Sequence, residues 1–334
     1  SINDYIRMYH HAILLGITTL TSLDTANALA DIIASRFNEN NTELVDINHL
    51  RTDKLKLNFI KMQSCGNDYI FFDNMDGKIT CPESLAINFV DRHYGIGGDG
   101  ITLIEKSDVA DAKMRIFNKD GSEGAMAGNS IRCVAKYLFD NGLVKDKNIT
   151  IETLSGVKEL QLYTFNGKVS SVSVDMGKAV LDGKSIPSTL EGETVVGRKI
   201  SIGGQDYTVT LVNVGNPHCV VFCDKVDAVD VANVGPMFEY AEYFPQRINA
   251  EFVRVVNDKT LKMRVWERGN GETLACGTGA AASVVAAVLN GYCKQDEDIT
   301  VKVRGGDLIV RYSSDGSVRL TGSVKQVFEG TVEY

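Results

Sequence analysis

The sequence has no Cys-x-x-Cys pair, no excess of positive charge, and no apolar run near the ~20 residues a membrane-spanning helix needs. Each absence removes a class of function. The seven cysteines, at 65, 81, 133, 219, 223, 276 and 293, are odd in number and fall at no disulfide or zinc spacing; they read as reduced thiols in a cytoplasmic protein without a metal site. A formal net charge of −8 argues against an electrostatic nucleic-acid binder, which would carry a basic patch. The stretch His10 to Leu15 is too short for a secretory signal and has neither a basic flank nor a small-residue cleavage site. Gly95-Ile96-Gly97-Gly98-Asp99-Gly100 lacks the spacing and the following helix of a dinucleotide fingerprint, so NAD is rejected. What remains is the composition of a soluble globular protein, 44% hydrophobic and 23% charged, and 334 residues are enough for two cores.

The chain carries one ground plan twice, 149 positions apart. Lys113-Met114-Arg115-Ile116-Phe117-Asn118 lies over Lys262-Met263-Arg264-Val265-Trp266-Glu267. In the same register Gly66-Asn67 lies over Gly215-Asn216, Glu123 over Glu272, Gly128 over Gly277, and Asn141-Gly142 over Asn290-Gly291. Ala127 then falls opposite Cys276. From residue 58 onward, Ile60 to Phe72, Asn148 to Leu162, Val169 to Met176 and Tyr207 to Phe222 predict strands. Two helices are predicted, Ser130 to Asn141 and Gly279 to Asn290, one per repeat, each closed by Asn-Gly in the left-handed region. Residues 1–57 stand outside the duplication; Ser22 to Thr25 predicts a cap, and Ala28, Leu29, Ile32, Ile33 and Phe37 follow at helical spacing.

Cys276-Gly277-Thr278-Gly279 places a thiol at the start of a helix whose first N–H groups have no partner within the helix. Such a site binds a carboxylate or phosphate, and the helix dipole is expected to lower the thiol pKa. Ala127-Gly128-Asn129-Ser130 is the same device without sulfur. Asn67 and Asn216 are read at matched strand ends, as are Asn118 and Glu267-Arg268. Arg268 is a natural partner for a carboxylate, and His218, after Gly215-Asn216-Pro217, is either a core histidine or a group tuning a nearby thiol. Cys133 is read as core, and Cys65 as the one other thiol near the cleft.

Five stretches resemble the diaminopimelate epimerase family: Gly66-Asn67-Asp68-Tyr69, Arg115 to Glu123, Gly128 to Cys133, Gly215-Asn216-Pro217-His218, and above all Glu267-Arg268-Gly269-Asn270-Gly271-Glu272-Thr273-Leu274-Ala275-Cys276-Gly277-Thr278-Gly279. The resemblance runs from about residue 58 to the C-terminus. It implies conversion of LL-diaminopimelate to the meso form without pyridoxal phosphate or any other cofactor, in lysine and peptidoglycan synthesis. It implies two cysteines on opposite faces of the α-carbon, one removing a proton and one delivering one. Carried over residue by residue, Asn67, Asn118, Asn216, Asn249, Glu267 and Arg268 contact substrate, Gly128-Asn129 and Gly277-Thr278 supply helix-start amides, and His218 and Glu267 tune the thiols. The partner implied is a small amino acid, with a homodimer as the expected assembly and neither nucleic acid nor membrane. Ala127 departs from the family, which has cysteine there. An introduced Cys→Ala change fits the otherwise intact motif; the alternative is a natural one-thiol relative that binds an amino acid or isomerises another substrate. Either way, inversion is expected to be severely impaired.

The expected fold is α+β, two pseudo-symmetric domains, each a curved, mainly antiparallel sheet wrapped around a central helix. The expected boundaries are 1–57 for a partly helical extension of unknown role, 58–176 plus 323–334 for the first domain, and 177–322 for the second.

Overall fold

Strand formation follows the alternation of side chains. Along Lys56–Ser64, buried Leu57 and Phe59 are flanked by exposed Lys56 and Asn58, the period-two pattern of a sheet with one covered face. The computed structural model describes residues 55–124, 128–183 and 185–334, together with Met8, Leu15 and Ala30. Ala127 and, apart from Ala30, the residues of the helix expected within 22–37 lie outside the described residues. Contacts divide the chain into Ser1–Leu55 and Lys56–Tyr334, and the second unit is the one described below.

Eighteen strands join in one continuous sheet among the described residues. Most neighbours are antiparallel. The parallel exceptions recur at equivalent places: Asn67–Asp73 beside Gly100–Glu105 and Ala112–Asn118 beside Asn148–Thr153 in the first repeat, Pro217–Phe222 beside Asn249–Asn257 and Thr260–Glu267 beside Asp298–Val303 in the second. The repeats meet where Lys168–Lys178 pairs antiparallel with Ser317–Ser323. There Val172 faces Gly322 and Ser173 faces Thr321, so under the 149-residue offset the register maps onto itself. That is the location of the pseudo-twofold axis. The last strand, Lys325–Glu333, returns to pair with the first, Lys56–Ser64.

Four α-helices are present among the described residues: α1 (Pro82–Phe89), α2 (Gly128–Asp140), α3 (Val231–Glu239) and α4 (Gly277–Leu289). Sequence periodicity finds α2 and α4 but places their starts two residues late, because Gly128 and Gly277 are poor helix formers that nonetheless open the first turn. The short helices α1 and α3 are additional. Both central helices end as expected. Gly142 (φ +72°) and Gly291 (φ +77°) take the left-handed conformation, and the next residues, Leu143 and Tyr292, donate back to Leu138 and Ala287 carbonyls.

Each central helix forms the middle of a core. Ile131, Val134 and Leu138 of α2 pack with Met62, Phe71, Ile151, Leu160 and Val172. Ala280, Val284 and Val285 of α4 pack with Val220, Met263, Val301, Val310 and Leu320. Every residue of α4 from Gly279 through Ala287 is buried, which explains why it is apolar all round. The repeated Lys-Met-Arg strands have a structural reason: Arg115 Nε donates to Glu123 and Arg264 Nε to Glu272, both at 2.8 Å, so the matched arginines and glutamates tie equivalent turns.

Candidate active site

Helix α4 begins at Cys276, which is 6% exposed. Its backbone is extended (φ −120°, ψ +113°), and Sγ accepts a hydrogen bond from Gly279 N–H at 3.3 Å. The sulfur thus occupies the acceptor position that a serine or aspartate oxygen fills at other helix starts. Thr278 Oγ1 lies 3.4 Å from the same sulfur.

The expected lowering of this thiol's pKa does not hold. Burial, followed by repulsion from the Glu267 and Glu251 carboxylates, pushes the Cys276 thiol well above its ordinary range, against weaker lowering by Thr278 and Gly279. The helix start offers partial charges, whereas the two acids offer whole ones in a site shielded from water.

The second-repeat residues form short sets of hydrogen bonds centred on His218, Asn249 and Glu267. His218 is fully buried; Nδ1 lies 2.7 Å from Glu251 Oε1, and Nε2 lies 2.9 Å from Asn216 Oδ1. Asn249 sits across from His218 in the parallel register, donates to Pro217 O at 2.8 Å and accepts from Arg268 N–H at 2.9 Å. Glu267 ends its strand and accepts from Thr273 Oγ1; burial raises its carboxyl pKa. Arg268 is exposed, and its guanidinium donates to Gln246 O at 3.1 Å. It pairs with no carboxylate among the described residues.

In the first repeat Asn67 opens a strand instead of ending one. Its Nδ2 donates to Asp99 Oδ2 at 2.5 Å, and its Oδ1 accepts from Asn129 Nδ2 at 3.2 Å. Asn129 Oδ1 in turn accepts from Arg132, which is fully buried and also reaches Ser64 Oγ through Nε and Nη2 at 3.2 and 2.9 Å. Asn118, at the end of its strand, donates to Ser122 Oγ at 3.0 Å and stands apart from this chain of bonds. Gly128 opens α2. Tyr69, the counterpart of His218, sits beside Asn67; burial and nearby Asp99 push its phenol up to about 12, so it stays neutral.

Cys133 is buried within α2 and held neutral by burial, as read from the sequence. Cys65 is also buried, at a left-handed turn (φ +52°), and packs into the second repeat's core. Sequence reasoning missed Glu251, Arg132 and Asp99. The signal for Glu251 was an acid alternating with apolar residues in Asn249-Ala250-Glu251-Phe252-Val253, where a buried strand should carry none. The glycine-rich segment ending in Asp99 wraps the end of α1, with Gly97 and Gly98 donating to Phe89 and Val90 carbonyls, and delivers the Asp99 carboxylate to Asn67.

Fold and site together define an α+β isomerase of the epimerase kind, in which a helix-start thiol stands beside buried acids. Among solved structures the chain is similar to a hydroxyproline epimerase from Agrobacterium vitis, at 14% identity and a TM-score of 0.60 over 84% of this chain and 92% of that one; at this identity the likeness concerns the fold alone. The sequence model for diaminopimelate epimerase matches residues 59–181 and 210–327. A diaminopimelate epimerase of Methanococcus maripaludis is 46% identical over 83% of this chain and 100% of that protein. One from Acetivibrio thermocellus is 47% identical, covering 83% and 99%. The chain belongs to the diaminopimelate epimerase family.

Proposed function

We propose that this site is built to interconvert LL- and meso-diaminopimelate by acid–base chemistry at two helix starts, without pyridoxal phosphate. With Ala at 127 the chain binds this substrate but is severely impaired in inversion. The observation that carries the reading is Cys276 Sγ at the first turn of α4, bonded to Gly279 N–H, with the equivalent position of the first repeat occupied by alanine. Inversion needs a donor and an acceptor on opposite faces of the α-carbon, and the pseudo-twofold register of the sheet, which relates the two repeats, supports a pair of such groups. The Gly128-Asn129 and Gly277-Thr278 amides take the α-carboxylate and offset carbanion charge. Asn67, Asn118, Asn216, Asn249, Glu267 and Arg268 hold the rest of the substrate, and the Arg268 guanidinium, which pairs with no carboxylate among the described residues, suits a substrate carboxylate. His218 and Glu267 tune the thiol. The working unit is assigned as two lobes, 58–176 plus 323–334 and 177–322, in a cytoplasmic homodimer.

Calorimetry is expected to show LL- and meso-diaminopimelate binding to the chain as it stands. Absence of binding while smaller amino acids bind would sink the substrate assignment. Ala127→Cys is expected to raise inversion by about 10²–10⁴-fold. A variant that binds substrate yet leaves its stereochemistry unchanged would instead favour the natural one-thiol reading.

A further inference from the structure

Beneath their helix starts the two repeats differ in charge. In the first, Thr102 Oγ1 and Ser130 Oγ bond each other at 2.6 Å, a buried neutral pair. At the same two positions 149 residues later stand Glu251 and Gly279. The missing side chain at 279 makes room for the carboxylate: a Cβ there would lie 2.8 Å from Glu251 Oε1 and 3.3 Å from Cys276 Sγ. Acid and thiol therefore press on the same small space. Glu251 is fully buried, Oε1 faces His218 Nδ1 at 2.7 Å, and Oε2 has no partner among the described residues. Native interiors keep few such unpaired polar atoms.

We propose that Glu251 is a positioning residue that holds Cys276 in its thiol form in the substrate-free protein. The groups facing Cys276 are few. Glu251 comes from the strand Asn249–Asn257, Glu267 from the end of Thr260–Glu267, and Thr278 and Gly279 from its own helix. His218 lies behind Glu251 on the strand Pro217–Phe222, and Tyr69 stands near Glu267 with its phenol neutral. Ionising Cys276 adds a negative charge beside the Glu251 and Glu267 carboxyls, against the weaker effect of Thr278 and Gly279, so the proton stays on sulfur until a carbanion accepts it. In the Ala127→Cys protein, toward the isomer whose α-hydrogen faces position 127, the introduced thiolate takes the α-proton, the Cys276 thiol gives its own to the opposite face, the negative charge ends on the Cys276 sulfur, and proton exchange with solvent restores thiol and thiolate. Glu267 differs from Glu251 in standing at the open strand end with its carboxyl raised, where it can take up a proton itself. Under the first helix the neutral Thr102–Ser130 pair imposes no such bias. The difference in charge beneath the two helix starts is therefore set by one exchange, Thr and Ser for Glu and Gly.

This inference rests on reading Cys276 as an acid–base group, but its test needs no substrate, so its failure and that of the diaminopimelate assignment are separate results. Iodoacetamide modification of Cys276 is followed by peptide mass spectrometry across a pH series, with exposed Cys81 as internal reference. In Glu251→Gln the pH midpoint of Cys276 modification is expected to fall by about 1–2 units, the usual effect of removing a close like charge. The double variant Glu251→Thr with Gly279→Ser, which installs the first repeat's neutral pair, is expected to do the same. A purely structural role for Glu251 would change thermal stability and leave the midpoint in place, and an unchanged midpoint in either folded variant overturns the proposal. In the unsubstituted protein the ¹³Cβ resonance of Cys276 is expected to report a thiol at neutral pH; a thiolate there overturns the proposal without any substitution.

Discussion

Gly279→Ala sets two opposing effects against each other at one atom. In a helix alanine is favoured over glycine by about 0.8–1.0 kcal/mol, so propensity alone makes the change stabilising. The new Cβ, however, would stand 2.8 Å from Glu251 Oε1 and 3.3 Å from both Cβ and Sγ of Cys276. Glu251 has nowhere to go, being fully buried with Oε1 held at 2.7 Å from His218 Nδ1. Overpacking of this kind costs about 1–3 kcal/mol, which leaves a net loss of roughly 0–2 kcal/mol, opposite in sign to the propensity expectation. Urea denaturation of a double-mutant cycle isolates the cause. With Glu251→Thr the obstacle is gone and alanine recovers its helical advantage, so the coupling between the two positions should be about 1–3 kcal/mol. An alanine that stabilises by about 1 kcal/mol in both backgrounds, with no coupling, would refute the close approach of acid and helix start on which the account of Cys276 depends.

Arg132→Lys tests the chain of bonds leading to Asn67. One ammonium cannot serve Ser64 Oγ and Asn129 Oδ1 together as the guanidinium does, and the loosened asparagines are expected to weaken diaminopimelate binding about ten-fold or more in calorimetry; unchanged affinity in the folded variant would remove Arg132 from the site. At alkaline pH the buried thiol of Cys133, pushed up from 9.0 to about 12, favours the folded state as long as it keeps its proton. That contribution is complete below the unfolded value and is lost as pH rises towards the folded one, at about 1.4 kcal/mol per pH unit. Cys133→Ala should flatten the fall in urea midpoint over this interval, and parallel curves for parent and variant would contradict the assignment.

The sequence by itself determined the duplication, the α+β class, the two central helices with their Asn-Gly ends, and the placing of Cys276 at a helix start. All of these rest on local spacing: apolar periodicity, turn glycines, and residues repeated at one offset. Asn67 with Asn216, and Asn118 with Glu267, were singled out in the same way, as polar residues at matched positions 149 apart. The tertiary structure alone decided the charge around the thiol. Glu251 lies 25 positions before Cys276 on a different element, and nothing in linear spacing says that the absent side chain of Gly279 opens a path between them. Likewise Arg132 reads as one more helix residue until Ser64, from a strand 68 positions earlier, is folded against it. A helix start announces a lowered pKa because its N–H groups are local; whether that tendency prevails depends on which carboxylates the sheet carries to the same spot and on how completely water is excluded there.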